Sequence, residues 1–115
     1  MKLLIFILKK TEKINEILKL LSKKNLNEVT ILKSLGMFKS VDYYNKDSNA
    51  QNLIINSLKI ILSQTENCSI TILCVVNKHE EKIFIDVVKQ VVGNLKNSNS
   101  GILFTLPICS LCGLN

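Results

Sequence analysis

The sequence predicts a single α+β domain built on a sheet of four strands. Four runs of apolar and β-branched residues have strand length, and two longer stretches repeat apolar residues at the spacing of an amphipathic helix. These elements alternate in two similar strand-helix-strand halves, joined by a polar insertion. Because 115 residues suffice for one hydrophobic core, we predict one domain over residues 1–115 with the insertion at about 37–52.

The first half begins with the apolar run Leu3–Leu8, which is too short for a stable helix. A continuous apolar run of this length predicts a strand buried on both faces. Thr11 then offers an N-cap hydroxyl for a helix whose apolar residues lie on one stripe, and Asn25 can adopt the left-handed conformation that ends it. Val29–Leu35 is predicted as a second, partly exposed strand.

A polar segment, residues 37–52, comes after Gly36. A polar loop of this length inside a compact domain is more often functional than a simple connection. Ser48 and Gln51 have the spacing of a capping box, which predicts a short amphipathic helix after the loop.

The second half begins with a third strand, predicted over Ile70–Val76. Asn77 and Glu80 have the spacing of a helix N-terminal cap pair. The next apolar residues repeat at helical spacing, and Gly93 weakens the helix toward its end.

A predicted turn at Asn97–Gly101 leads into the fourth strand, Ile102–Leu106, which Pro107 ends. Right-handed crossovers in the two halves place the first and third strands side by side in the middle of an antiparallel sheet, with both main helices on one face. This arrangement is the ferredoxin-like βαββαβ sandwich, here with an inserted loop and short helix between strands 2 and 3. A doubly wound parallel sheet is the alternative, since periodicity alone does not separate the two.

Composition narrows the classes of partner. The formal net charge of +6 is spread thinly over lysines, without an arginine-rich stripe or interleaved aromatic residues, so we predict no nucleic-acid partner. The hydrophobic share of 47% is high, yet no apolar run reaches the roughly 18 residues of a membrane span, which favours burial between subunits. The absence of such a run predicts a protein that does not span a membrane. The cysteines lack the regular spacing of a secreted disulfide framework, which predicts a cytoplasmic protein.

Groups for catalysis are few, and we predict that the protein is not an enzyme. His79, the only histidine, lies at a helix start where a solvent-facing residue is the ordinary interpretation. Cys109 and Cys112 form a lone CxxC, a spacing that can bind zinc or cycle between thiol and disulfide. The turn at Asn97–Gly101 can present backbone amides to an anion, or it is an ordinary connection with a glycine entering a strand.

Four segments carry a resemblance to a known family. They are Met1–Leu8, Val29–Gly36, Val92–Leu95 and Ser100–Pro107. In their order and pattern they resemble the PII-like signalling superfamily, and the chain looks like a divergent member related to nitrogen regulatory protein PII. The resemblance implies a homotrimer of ferredoxin-like subunits, without a cofactor, that binds a small effector, usually an adenine nucleotide, in clefts between subunits.

The resemblance also implies site residues. The predicted ligand-binding residues are Gly36, Met37, Phe38, Asn99, Ser100 and Gly101. The insertion corresponds to the T-loop by which family members contact a target protein, so Lys39, Tyr43 and Tyr44 are predicted to bind an unidentified protein partner. Members that bind ATP carry a lysine after the glycine that enters the last strand, and this chain has Ile102 there.

One alternative function shares the fold. Proteins of the divalent-cation-tolerance type have the same architecture and bind metal, and here such a protein would use Cys109 and Cys112. For the leading interpretation we predict neither catalytic nor metal-binding residues.

Overall fold

The computed structural model describes residues 1–35 and 68–114. Their strands are β1 (Lys2–Leu8), β2 (Thr30–Ser34), β3 (Ser69–Val76) and β4 (Gly101–Pro107), and their α-helices are α1 (Ile14–Lys23), α2 (Lys78–Val92) and the short α3 (Leu95–Ser98). The chain divides into two compact units. The first comprises Met1–Leu32 together with Ile70–Asn115, and the second comprises Lys33–Ser69. The first unit contains all three α-helices, and the single domain over 1–115 stays a prediction.

The strands form one antiparallel sheet in the order β2-β3-β1-β4, so β1 and β3 are central. Strand β1 pairs antiparallel with both neighbours, with Ile5 opposite Leu73 of β3 and opposite Phe104 of β4. The predicted placement of the first and third strands side by side is therefore confirmed, and a doubly wound parallel sheet is excluded. The protein is α+β, with α1 and α2 packed on the sheet.

The hydrophobic core lies between one face of the sheet and the two long helices. Side chains of β1 alternate, and Leu4, Phe6 and Leu8 are fully buried against this core. The helices contribute Ile17 and Leu21 from α1 and Phe84, Val87 and Val88 from α2. The rings of Phe6 and Phe84 meet edge to face, with centroids 6.2 Å apart. We call this the covered face of the sheet.

The other face of β1 is not buried, which corrects one prediction. Leu3, Ile5 and Ile7 are only half-buried. The continuous apolar run of β1 predicts burial on both faces, but α1 and α2 pack on one face only. An apolar run indicates what the sequence is suited to bury, and here the described helices cover one of its two faces.

Residues flanking the helices match several of the predicted helix ends. Asn77 and Glu80 form the capping box: the Asn77 side chain accepts from the Glu80 N–H at 2.8 Å, and the Asn77 N–H donates to Glu80 Oε1 at 3.0 Å. Gly93 comes directly after α2 with a φ of +86°. Asn25 has a φ of 64°, so the left-handed end predicted after α1 is confirmed.

The start of α1 differs from the prediction. Thr11–Lys13 form a 3-10 turn, and α1 begins at Ile14 with no side chain capping it. The Thr11 N–H donates to the Lys9 carbonyl at 3.1 Å, because the chain turns sharply as it leaves β1. Thr11 is already inside this turn, so its predicted role as N-cap is wrong.

The turn before β4 is shorter than predicted. The Asn94 side chain accepts from the Lys96 N–H at 3.0 Å and starts α3, which takes up Asn97. Gly101 is already the first residue of β4. The predicted turn Asn97–Gly101 is therefore reduced to Asn99 and Ser100, because an asparagine cap adds one more helical turn.

Candidate functional site

Half of the predicted ligand-binding residues lie in the part of the chain that the structure describes. Asn99, Ser100 and Gly101 lie together at the entry to β4. The remaining predicted residues, Gly36, Met37, Phe38, Lys39, Tyr43 and Tyr44, lie outside the described residues, as do the segments predicted as a loop at 37–52 and as a short helix after it. Their roles stay predictions.

The turn before β4 is fixed to the end of β1. The carbonyl oxygen of Ser100 accepts the N–H of Lys9 at 2.7 Å and the N–H of Lys10 at 3.3 Å. The Lys9 ammonium Nζ donates to Asn99 Oδ1 at 3.2 Å. Two exposed lysines therefore stand beside the turn, although they lie about ninety positions earlier in the chain.

Sequence reasoning missed Lys9 and Lys10 as members of this site. The signal was present in the predicted topology, because an antiparallel first and fourth strand bring the end of one to the start of the other. Leu8 is indeed opposite Gly101 in the register of β1 and β4. The residues just after Leu8 must then lie beside the residues just before Gly101.

Gly101 and Ser100 have clear packing roles. A Cβ atom at Gly101 would fall on the carbonyl oxygen of Ile7 and lie 3.2 Å from the ring of Phe6. Only glycine allows the two strands to approach so closely. Ser100 is fully buried. Asn99 is thus the exposed member of the three, beside exposed Lys9.

A separate concave region lies at the opposite end of β1. It is a cleft of about 470 Å³ whose lining includes Met1, Glu28, Cys74 and Glu80. The Cys74 thiol donates weakly to the Glu28 carbonyl at 3.6 Å. Burial raises the pKa of this thiol from 9.0 to about 11, and the carboxylates of Glu80 and Glu28 contribute in the same direction. The thiol is therefore neutral near pH 7, which is the unreactive form.

Metal ligands do not converge in the described ranges. Within residues 1–35 and 68–114, no group of three or more His, Cys, Asp or Glu side chains could hold a metal ion. Cys109 and Cys112 are exposed free thiols in the segment after β4. Their predicted alternative use as metal ligands has no third partner among the described side chains.

A third feature of the surface is the side of the sheet that the described helices α1 and α2 do not cover. In the strand register, Ile5 of β1 is opposite Leu73 of β3 and Phe104 of β4. Leu3 and Ile7, the neighbours of Ile5 on the same face, also lie opposite one residue of β3 and one of β4. We call this the open face, and its members are Leu3, Ile5, Ile7, Thr71, Leu73, Val75, Ile102, Phe104 and Leu106. Only Thr71 is polar.

Exposure on the open face is greatest along β4. Ile102 is 53% exposed, Phe104 39% and Leu106 47%. These side chains adjoin the half-buried ones of β1, so the apolar surface is continuous across three strands. Contiguous apolar patches of this kind mark interaction sites for proteins, membranes or ligands.

Among the described residues, no helix is long and apolar enough to cross a membrane. The cytoplasmic location stays a prediction.

No family model matches the sequence, and no curated protein matches it.

Proposed function

We propose that this chain is a PII-like regulatory protein with the ferredoxin-like βαββαβ fold. In this proposal it is a homotrimer that binds a small effector, such as an adenine nucleotide, in clefts between subunits, and it signals through the loop at about 37–52 to a protein partner. The order β2-β3-β1-β4 supports the fold, because a βαββαβ chain with two right-handed crossovers gives this order.

The open face is the observation that carries the proposal. β1 is apolar on both of its faces, and the described helices α1 and α2 cover one of them. Burial of apolar area contributes about 25 cal/mol per Å² removed from water, so a face of this composition favours association. Every subunit presents the same face, and identical chains usually associate with closed symmetry, so other copies of this chain are the occupants that fit.

The thiol in the cleft is a poor candidate for a nucleophile. Burial and the carboxylates of Glu80 and Glu28 both disfavour the thiolate of Cys74, which is the reactive form. The proposal therefore assigns Cys74 no catalytic role. The metal-binding alternative of the cation-tolerance type has no comparable observation in its favour among the described residues.

The test is to place a charge on the open face and to compare it with the same charge elsewhere. Phe104→Glu introduces a carboxylate at a side chain that is 39% exposed, and Leu111→Glu introduces one at a side chain that is 43% exposed but lies in the segment after β4. We expect size-exclusion chromatography with light scattering to show that Phe104→Glu dissociates the assembly and that Leu111→Glu leaves it intact. Equal masses for both variants would contradict the proposal.

A further inference from the structure

Two cysteines lie close together in the segment after β4, residues 108–114. Cys109 and Cys112 are both exposed free thiols, and the segment contains neither helix nor strand. Cysteines that respond to oxidants are typically accessible to solvent and adjacent to a second thiol that can complete a disulfide. The pair has both properties, and the proposed regulatory function gives it no role.

The backbone around the pair can accommodate a disulfide. The bond requires Cα atoms about 4.4–6.8 Å apart. A four-residue turn meets this requirement, because its first and fourth Cα atoms are less than about 7 Å apart. Among the described residues, the segment makes one backbone hydrogen bond, from the Ile108 N–H to the Met1 carbonyl at 3.3 Å. Residues 109–112 can therefore form such a turn without breaking a hydrogen bond of a helix or of the sheet.

A disulfide is also the use of these thiols that needs no further side chain. A structural zinc site takes four ligands. Within residues 1–35 and 68–114, no group of three or more His, Cys, Asp or Glu side chains could hold a metal ion. Cys74 does not compete for an oxidant in solution, because it is buried and its thiol donates to the Glu28 carbonyl.

The segment after β4 also reaches the cleft at the start of β1. Its first residue, Ile108, is bound to Met1, and Leu114 belongs to the lining of the cleft, as does Cys74. Leu114 is 41% exposed, and a Cβ atom on the neighbouring Gly113 would meet nothing within 4 Å. A segment with so few buried contacts opens at a small cost in free energy. The pair of thiols thus lies between a fixed point at Met1 and a loosely packed edge of the cleft.

We propose that Cys109 and Cys112 form a reversible disulfide, with hydrogen peroxide as the oxidant, and that this bond draws Leu114 away from the cleft. The inference does not depend on the proposed trimer or on its effector. One thiolate attacks peroxide and becomes a sulfenic acid, releasing hydroxide, which takes up the proton that the thiol lost. The second thiol then displaces water from the sulfenic acid and forms the S–S bond. In total the thiols lose two protons and two electrons, and one peroxide becomes two water molecules.

The bond moves Leu114 because it shortens the reach of the segment. Three free peptide units span up to about 10 Å, whereas a disulfide holds the two Cα atoms about 4.4–6.8 Å apart. Leu114 follows Cys112 by two residues, and the segment is fixed at Ile108. A shorter connection between these points lowers the fraction of time in which Leu114 borders the cleft. The Cys74 thiol should then become more accessible.

The experiment treats the reduced full chain with hydrogen peroxide, blocks the remaining thiols with N-ethylmaleimide and analyses a non-reducing tryptic digest by mass spectrometry. The sequence has neither Lys nor Arg after Lys96, so both exposed cysteines fall in the peptide 97–115. In separate samples, tandem mass spectrometry measures the rate at which iodoacetamide modifies Cys74 before and after oxidation. The variants are Cys109→Ser, which leaves one exposed thiol, and Cys74→Ala, which keeps the pair. Circular dichroism checks that each variant folds.

We expect peptide 97–115 of the oxidised wild type to be lighter by two hydrogen atoms and to carry no maleimide, and we expect dithiothreitol to restore both thiols. Cys74→Ala should give the same peptide, and Cys109→Ser should not. Iodoacetamide should modify Cys74 severalfold faster in the oxidised wild type than in the reduced one. In Cys109→Ser, peroxide should leave this rate unchanged.

Two results would overturn the inference. One is a peptide 97–115 without the internal bond, which would carry two maleimide groups, additional oxygen atoms or a link to another peptide. The other is an internal bond that leaves the rate of Cys74 modification unchanged, which would show that the segment stays at the cleft. Neither readout involves the mass of the assembly or an effector, so either failure is distinct from a failure of the proposed function.

Discussion

The two faces of the sheet have similar side chains and different surroundings. On the covered face, Leu4 and Phe6 of β1 are fully buried beneath α1 and α2. On the open face, Ile5 and Ile7 of the same strand are half-buried, and Phe104 beside Ile5 is 39% exposed. The composition of β1 is therefore suited to burial on two sides, of which the described helices cover one. We expect the covered face to determine folding and the open face to determine assembly.

Truncating one phenylalanine on each face should change stability the most. Phe84→Ala on the covered face should cost about 3–5 kcal/mol of the free energy of unfolding, because it removes a fully buried ring and leaves a cavity. Phe104→Ala should instead reduce the dependence of the unfolding midpoint on protein concentration, since assembly stabilises by mass action. Urea unfolding at two protein concentrations measures both. A large, concentration-independent loss for Phe104→Ala would contradict the division between the faces.

A smaller loss of stability is expected at Gly101, where β1 and β4 approach each other closely. In Gly101→Ala the new methyl group would fall on the Ile7 carbonyl, which is backbone and must shift. We expect a loss of about 1–3 kcal/mol, as for other overpacked positions. The measurement is chemical unfolding, with Leu111→Ala as a control at an exposed residue outside the open face. An unfolding midpoint for Gly101→Ala equal to that of the wild type would show that the strands are not so close.

The covered face also depends on how α2 begins. Asn77→Ala removes the side chain that accepts from the Glu80 N–H and should cost about 1 kcal/mol. Asn77→Ser keeps a capping oxygen and should retain most of the stability. Thermal unfolding compares the two variants, and equal losses would mean that the cap does not stabilise this helix.

The weakest effect is the pH dependence of stability, which tests whether the Cys74 thiol on the covered face is buried. Burial and the nearby carboxylates raise the pKa of the Cys74 thiol from 9.0 to about 11. The unfolded chain loses this proton near pH 9 while the native chain retains it, so the stabilising contribution is complete below pH 9 and is lost as the pH rises to about 11. Stability measured from pH 8 to 11 should fall less steeply in Cys74→Ala.

The rate of thiol modification also tests whether the Cys74 thiol is buried. At pH 8.5 iodoacetamide should modify the exposed Cys109 and Cys112 of the native protein well before Cys74, as read by peptide mass spectrometry. Modification of Cys74 at the rate of Cys109 would contradict a buried, neutral thiol.

Much of the fold could be predicted because its signals are local. The helical stripes of α1 and α2, the capping box at Asn77 and the left-handed Asn25 each depend on residues within a few positions of one another. Thr11 and the turn before β4 were predicted wrongly for two different reasons. At Thr11 the backbone hydrogen bonds after β1 decide where the helical turn begins. Before β4 the side chain of Asn94 caps an additional short helix.

The candidate site was harder to predict because its residues are distant in sequence. Asn99 was identified from its turn, whereas Lys9 joins it only through the pairing of β1 with β4. The half-buried face of β1 was missed for a different reason. An apolar run does not distinguish burial by a helix of the same chain from burial by another subunit, because both remove the same surface from water.

The mass of the wild-type protein in solution is the most direct test of assembly through the open face. Sedimentation equilibrium over a dilution series in the micromolar range requires no variant and no ligand. If this chain forms the proposed homotrimer, the mass should be that of three protomers of 13.0 kDa each and should persist on dilution. A single species of 13.0 kDa throughout the series would contradict the proposed trimer.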